Sequence, residues 1–405
     1  MALRKRSVRD LEVSNRRVFV RVDFNVPIKD GAITDDTRVR AAVPTLEWLR
    51  ARGASLVVAS HLGRPKGKPD AKFSLAPVAR RLGEILAASV PMAADCIGAA
   101  AEAAARGLEP GQVLLLENLR FHAGEEKNDD AFARQLAATA EMYVDDAFGA
   151  AHRAHASVAA ITRHLHPAAA GLLMQSEIEA LGRLRDRPEK PYLALLGGAK
   201  VSDKIDLIRR LLESTDAVLI GGAMAYTFLK AEGIGVGGSR VEEDRLEAAR
   251  TILSEARGRG VRLLLPVDHV VAASPEPGAA NTVTEGPAIQ DGCVGLDIGP
   301  RTRAAFAAEI SRARTVFWNG PLGLFEVPPY DAGTLEAAQA VAASGAWSVV
   351  GGGDSVAAVT RLGLAARFGH VSTGGGAALE FLSGLELPGI TALDDAHAPG
   401  QGPRA

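Results

Sequence analysis

Short β-branched and aliphatic runs alternate along the chain with longer stretches whose apolar residues recur at helical spacing. That is the pattern of parallel sheets covered by helices. In the first half, strands are predicted at Arg17–Val22, Ala54–Ser60, Gln112–Glu117 and Glu141–Asp145. In the second half they are predicted at Pro191–Leu196, Ala217–Gly221, Arg262–Pro266, Thr315–Asn319 and Trp347–Gly351. Two sets of strands predict two doubly wound, Rossmann-like sheets, an α/β fold of two lobes. Between them Gly171–Arg187 places Leu172, Leu173, Ile178, Leu181 and Leu184 at helical spacing, which predicts a connecting helix or a surface helix of one lobe. The Pro- and Gly-rich tail HAPGQGPRA predicts no regular element.

Length and composition agree with two lobes. At 405 residues the chain exceeds what one core usually supports. A hydrophobic share of 47% argues against disorder, and a net charge of −2 favours neither nucleic acid nor an anionic membrane as partner. Phosphate binding would then have to come from local basic clusters. Cys96 and Cys293 are too few for a disulfide framework or a zinc site, which points to a reducing, cytoplasmic setting. No apolar run reaches the ~18 residues of a membrane span, and none resembles a signal peptide.

Ligands of open α/β sheets bind at the carboxyl ends of the strands, and those ends carry unusual residues here. The first strand runs into Arg21-Val22-Asp23-Phe24-Asn25, with Arg38 a short turn later. The second runs into Ser60-His61-Leu62-Gly63-Arg64, the third into Glu117-Asn118-Leu119-Arg120, and the fourth is followed by His152-Arg153-Ala154-His155. Four strand ends delivering Arg or His to one rim predict an anion-binding basin, because the guanidinium fork suits phosphate and carboxylate. Asp23 and Asn25 read equally as hydroxyl or carboxylate recognisers or as turn and capping residues.

The second half offers glycine instead. Gly197-Gly198-Ala199-Lys200 leads into a predicted helix Val201–Glu213, with Lys200 and Lys204 four apart on its first turn. Two lysines there oppose the helix dipole unless an anion compensates; the alternative is that both are solvated beside Asp203 and Asp206. Gly351-Gly352-Gly353-Asp354-Ser355 precedes a predicted helix Val356–Leu362, and Gly374-Gly375-Gly376 precedes one at Ala377–Leu382. Asp354 suits either a Mg²⁺ ligand or an N-cap. No Walker-type loop occurs, and Gly233-Ile234-Gly235 is a weak dinucleotide fingerprint, which disfavours a nicotinamide dehydrogenase.

Read in order, RVDFNVP, DDTR, SHLGRPKG, LLENLRF, DAFGAAHRAHAS, LGGAKVSDK, WNGPLG, GGGDS and STGGGA resemble the phosphoglycerate kinases from about Val18 to Leu393. The resemblance implies reversible phosphoryl transfer between 1,3-bisphosphoglycerate and ADP, giving 3-phosphoglycerate and ATP, by a monomer with no nucleic-acid or membrane partner. It implies a phosphoglycerate side formed by Arg21, Asp23, Asn25, Arg38, His61, Leu62, Gly63, Arg64, Arg120 and Arg153. It implies a nucleotide side formed by Lys200, Lys204, Gly222, Gly295, Asn319, Glu326 and Gly352, Gly353, Asp354 and Ser355. Glu326 would hold the ribose and Asp354 the nucleotide's Mg²⁺, with Arg38, Lys200, Lys204 and Gly375 as the catalytic positions. The implied domains are 1–170 completed by about 386–405, a connecting helix 171–187, and 188–385, with a cleft that closes for transfer. Four positions depart from the usual family pattern: Asp145 stands for Asn, Ala223 for Gly, Ser355 for Thr and Ala378 for Ser. A non-catalytic nucleotide- or anion-binding protein on the same scaffold is the alternative.

Overall fold

A computed structural model describes residues 4–396, so the tail HAPGQGPRA lies outside the described residues. The chain divides into two compact units, one running to Glu179 and resuming at Glu386, the other spanning Ala180–Leu385. All nine expected strands form, seven of them complete or trimmed at one end only.

The first unit is built on a five-stranded parallel sheet. Its spatial order is Val113–Leu115, Ser55–Ala59, Arg17–Arg21, Met142–Asp145 and Ala168–Ala170. Numbered along the chain, that order is 3-2-1-4-5, so winding reverses between Arg17–Arg21 and Met142–Asp145. Every residue of Ser55–Ala59 is buried, as helices on both sheet faces require. The helix Ala76–Leu86 contributes Val78, Ala79, Leu82 and Leu86 to that core, one apolar stripe at helical spacing. The fifth strand is three alanines, a composition that reads as helix; buried pairing with Met142–Asp145 overrides the propensity. A two-stranded hairpin, Ile28–Lys29 with Ala32–Ile33, turns at Asp30-Gly31.

The returning segment from Glu386 is fastened by Asp394. Its carboxylate accepts Ala168 N–H at 3.0 Å, its carbonyl accepts Arg6 N–H at 2.8 Å, and its own N–H donates to Ala168 O at 3.0 Å.

The second unit carries a six-stranded parallel sheet in the order Arg262–Leu264, Ala217–Ile220, Tyr192–Leu196, Thr315–Asn319, Trp347–Gly351 and His370–Val371. This is 3-2-1-4-5-6, reversing between Tyr192–Leu196 and Thr315–Asn319. Trp318, Phe306 and Val316 lie in its core. A separate antiparallel sheet of Asn281–Val283, His269–Ala272 and Val294–Ile298 was not expected. Its strands are short and Asn281–Val283 is exposed throughout, so only the brief buried run His269–Ala272 carries a strand signal.

The connecting helix spans Leu172–Asp186, and the division between the units falls within it. Its amino end is held by side chains of the first unit: Thr45 Oγ1 accepts Leu172 N–H, and Asp146 Oδ1 accepts Leu173 and Met174 N–H. The other predicted helices move. The helix expected at Val201–Glu213 is only Ile205–Leu211, because Glu242 takes up Val201 N–H, Ser202 N–H and Ser202 Oγ and holds that stretch as a turn. The helix expected from Val356 begins at Gly353 and ends at Arg361, placing Asp354 inside its first turn with Gly352 as N-cap. The last begins at Gly376.

Candidate active site

In the first unit the basin grows from the sheet's reversal. Arg21 ends the first strand opposite Asp145 and is fully buried. Its Nε donates to Ser157 Oγ at 2.8 Å, Nη2 lies 3.2 Å from His61 Nδ1, and Nη1 donates to Val22 O. Burial, then the charges of Arg21 and Arg120, hold the His61 pKa well below its ordinary value, so the ring is neutral. His155 is pushed down to about 3 by burial and the same arginines.

Around this floor the loops are cross-tied. Asn25 Oδ1 accepts Gly63 N–H at 2.9 Å, and Asp23 Oδ1 accepts Asn25 N–H at 3.1 Å. Asp23 Oδ2 accepts Arg38 Nη1 at 2.8 Å. Asp23 and Asn25 therefore act as turn residues, while Asp23 also faces a basin arginine. Arg120 donates to Gly63 O at 2.8 Å and lies 3.2 Å from Glu126. Asn118 binds both backbone groups of Leu62, at 3.2 and 2.8 Å, fixing the buried Leu62 and the loop that bears Gly63 and Arg64. Arg64 is exposed; Arg153 is half-buried, with Nε donating to His152 Nε2 at 3.1 Å.

In the second unit a lysine occupies the equivalent reversal. Lys204 is the N-cap residue of Ile205–Leu211, not part of a shared helical face with Lys200. Its Nζ donates to Gly197 O at 2.5 Å and Asn319 O at 3.0 Å, bridging the ends of the two strands where winding reverses. Burial pushes its pKa down to about 8, against the charges of Asp203 and Asp354. Lys200 is exposed in the preceding loop; burial raises the Glu242 pKa, but hydrogen bonds from Ser202 and Val201, with the Lys200 charge adding least, leave it lowered.

Backbone lines the rest. A Cβ at Gly222 would meet Gly198 N at 2.6 Å and Pro321 O at 2.7 Å, so only glycine lets these loops approach. Gly375 has φ 52° and ψ −120°, which favours glycine although a side chain would meet open space. Asn319 Nδ2 donates to Gly351 O at 3.0 Å, and Ser355 Oγ accepts Gly320 N–H at 2.8 Å. Gly352 and Gly353 form the turn into Asp354. Gly295 instead lies against the Tyr226 ring in the antiparallel sheet. The Asp354 pKa is raised by burial and then by the Glu326 charge, while Lys204 lowers it. A carboxylate so disfavoured, beside a second carboxylate, suits a cation.

The departures from the family pattern are accommodated. Ala223 has φ −63° and ψ −26°, ordinary helical values, so its methyl group adds no backbone strain. Ser355 keeps its hydroxyl bonded, and Ala378 is buried in its helix. Asp145 is fully buried; Oδ1 accepts Ala147 N–H at 2.9 Å and Oδ2 has no hydrogen-bond partner. Burial raises its pKa to about 7.

Sequence reasoning did not single out Ser157, Glu125 or Glu242. Ser157 and Glu125 lie in segments with no apolar period, and Glu242 acts on backbone forty residues away; none offers a local signal. Cysteine count set a zinc site aside, yet the fold gathers Asp95, Cys96 and His122 with potential ligand atoms within 4.8 Å of one another. His122 Nε2 and Asp95 Oδ1 already bond each other at 2.6 Å, and burial pushes the Cys96 thiol up, so the thiol keeps its proton.

Among the described residues no helix is long and apolar enough to cross a membrane. Residues 8–385 match the family model described as phosphoglycerate kinase. A phosphoglycerate kinase of Moorella thermoacetica is 54% identical over 96% of this chain and 99% of its own length. One of Anaeromyxobacter dehalogenans is 54% identical over 98% of this chain and its full length. The solved phosphoglycerate kinase of Coxiella burnetii is 42% identical, with a TM-score of 0.87 over 96% of this chain and 98% of that one. That of Pyrococcus horikoshii is 34% identical, with a TM-score of 0.84 over the same shares. Nothing in these matches supports a non-catalytic binding protein. The chain therefore belongs to the phosphoglycerate kinase family of phosphotransferases.

Proposed function

We propose that this chain transfers a phosphoryl group reversibly between 1,3-bisphosphoglycerate and ADP, giving 3-phosphoglycerate and ATP. In this reading the first unit holds the phosphoglycerate and the second the Mg-nucleotide, in a cytoplasmic monomer. The observation that carries it is the different chemistry at the two strand-order reversals. One is floored by Arg21 and His61 and rimmed by Arg38, Arg64, Arg120 and Arg153. The other is lined by glycine backbone around the buried Lys204. Guanidinium forks suit carboxylate and phosphate of a small acid, whereas exposed backbone N–H groups suit a polyphosphate.

An acyl phosphate is already a good donor, so no covalent intermediate is needed. The protein's task is to align the reactants, exclude water and neutralise the transferring group. Arg38 and Lys204 supply positive charge to the phosphoryl group, with Lys200 on the exposed loop and the Gly375 backbone completing the set. His61, neutral, donates a hydrogen bond to the phosphoglycerate without adding a further charge to a buried arginine cluster. Glu326 accepts from the ribose hydroxyls. Asp354, beside Glu326, is the residue to hold Mg²⁺, which when bound offsets charge on the nucleotide phosphates. A coupled assay with purified protein, 3-phosphoglycerate and ATP tests the reading: product formation is expected, and no turnover with intact fold would overturn it.

A further inference from the structure

The Arg21 guanidinium is fully buried, so whatever orients it lies inside the protein. Its Nε donates to Ser157 Oγ, whose own hydroxyl proton is donated in a hydrogen bond to Glu125 Oε1 at 2.6 Å. Glu125 Oε2 accepts Ser157 N–H at 2.9 Å, so both carboxylate oxygens grip one residue. Tyr143 OH donates to Ser157 O at 2.8 Å and fixes it from the other side. Glu125, Ser157 and Arg21 are all 0% exposed. The direction of every bond is forced: a guanidinium only donates, a carboxylate only accepts, and the hydroxyl must do one of each.

The same logic continues to His61. Arg21 Nη2 lies 3.2 Å from His61 Nδ1 and has no lone pair to offer. A neutral ring must then accept at Nδ1 and carry its proton on Nε2. Reversed, the ring would point an N–H at a buried cation and turn a lone pair toward an incoming anion.

We propose that Glu125 and Ser157 are positioning residues for phosphoglycerate binding, holding Arg21 so that His61 presents Nε2–H as a donor. This rests on the assignment of His61 to the phosphoglycerate side. Glu125 also accepts Ala156 N–H at its carbonyl, so a loss of activity alone would not separate positioning from loop packing. The discriminating readout is the His61 tautomer.

In the full-length protein, long-range ¹H–¹⁵N correlation spectra of the histidine rings should show wild-type His61 in the Nε2–H form. Ser157→Ala should mix the two tautomers and raise KM for 3-phosphoglycerate about 10-fold or more, with KM for ATP unchanged. Ser157→Thr, which keeps the hydroxyl, should restore both. Glu125→Gln should move the same two readouts if Ser157→Ala does not fold. An Nδ1–H ring in the wild type overturns the proposal, with or without variants. So does an unchanged tautomer and KM in folded Ser157→Ala. If the wild type neither binds nor turns over 3-phosphoglycerate, the functional reading fails, while the spectra still decide the tautomer.

Discussion

Arg38 Nη1 donates to Asp23 Oδ2 across 2.8 Å, so the guanidinium assigned to the transferring phosphoryl group is oriented by a carboxylate of the same basin. Arg38 keeps 39% of its side chain exposed, whereas Asp23 keeps 12%. The arginine is therefore the partner with room to act on a ligand.

Arg38→Ala should lower kcat by ~10³-fold or more, the scale for removing a charge partner of a transferring phosphoryl group. Arg38→Lys should fall between, since an ammonium keeps the charge without the fork. Steady-state kinetics decide it: a raised KM with kcat intact would make Arg38 a substrate anchor only.

For Lys204, burial places the titration at about 8 instead of the ordinary lysine range. Below that pH Lys204 in the folded chain is a cation, as the proposed nucleotide contact needs; above it the charge is lost. The nucleotide kcat/KM should therefore fall as pH rises through about 8, and Lys204→Met should be nearly inactive throughout. A profile flat to pH ~9.5 would remove Lys204 from the nucleotide site.

Asp354→Asn should weaken binding of Mg-nucleotide much more than binding of metal-free nucleotide, because Asp354 sits inside a helical turn and is not its cap. Calorimetric titrations with and without Mg²⁺ separate the cases. Equal losses in both would count against metal ligation.

Asp145 gives a stability prediction. Its folded pKa of about 7 lies above the ordinary aspartate value, so the unfolded chain loses the proton first as pH rises. Stability is thus lost between about pH 4 and 7, and the deficit persists above. Asp145→Asn should raise the denaturation midpoint at pH ~8 by at least ~1 kcal/mol equivalent and change little at pH ~4. An equal effect at both pH values would mean packing, not charge, sets the difference.

The strands and the loops that carry arginine or glycine were legible because buried parallel strands are continuous apolar runs, and punctuation marks their ends. Long-range polar ties were not. The helix predicted from Val201 starts only after Lys204 because Glu242 competes for its first N–H groups, and nothing near Val201 announces that. Ala168–Ala170 is absent from the predicted strands because alanine's preference is local and sheet pairing is not. The reading of Lys200 and Lys204 as one face failed for the same reason: Lys204 turns inward to two carbonyls supplied by strands more than a hundred residues apart in sequence.

The Asp394 fastening sets an order of assembly. Ala180–Leu385 is one uninterrupted stretch, whereas the other unit needs Glu386 onward to join Arg6 and Ala168. During synthesis, the first unit's contacts to Ala168 and Arg6 close only after Ala180–Leu385 has been made, which leaves its sheet edge near Ala168 uncovered until then. The later unit, being continuous, needs nothing from elsewhere in the sequence to complete its sheet, so the two units differ in when their last strand edge is closed.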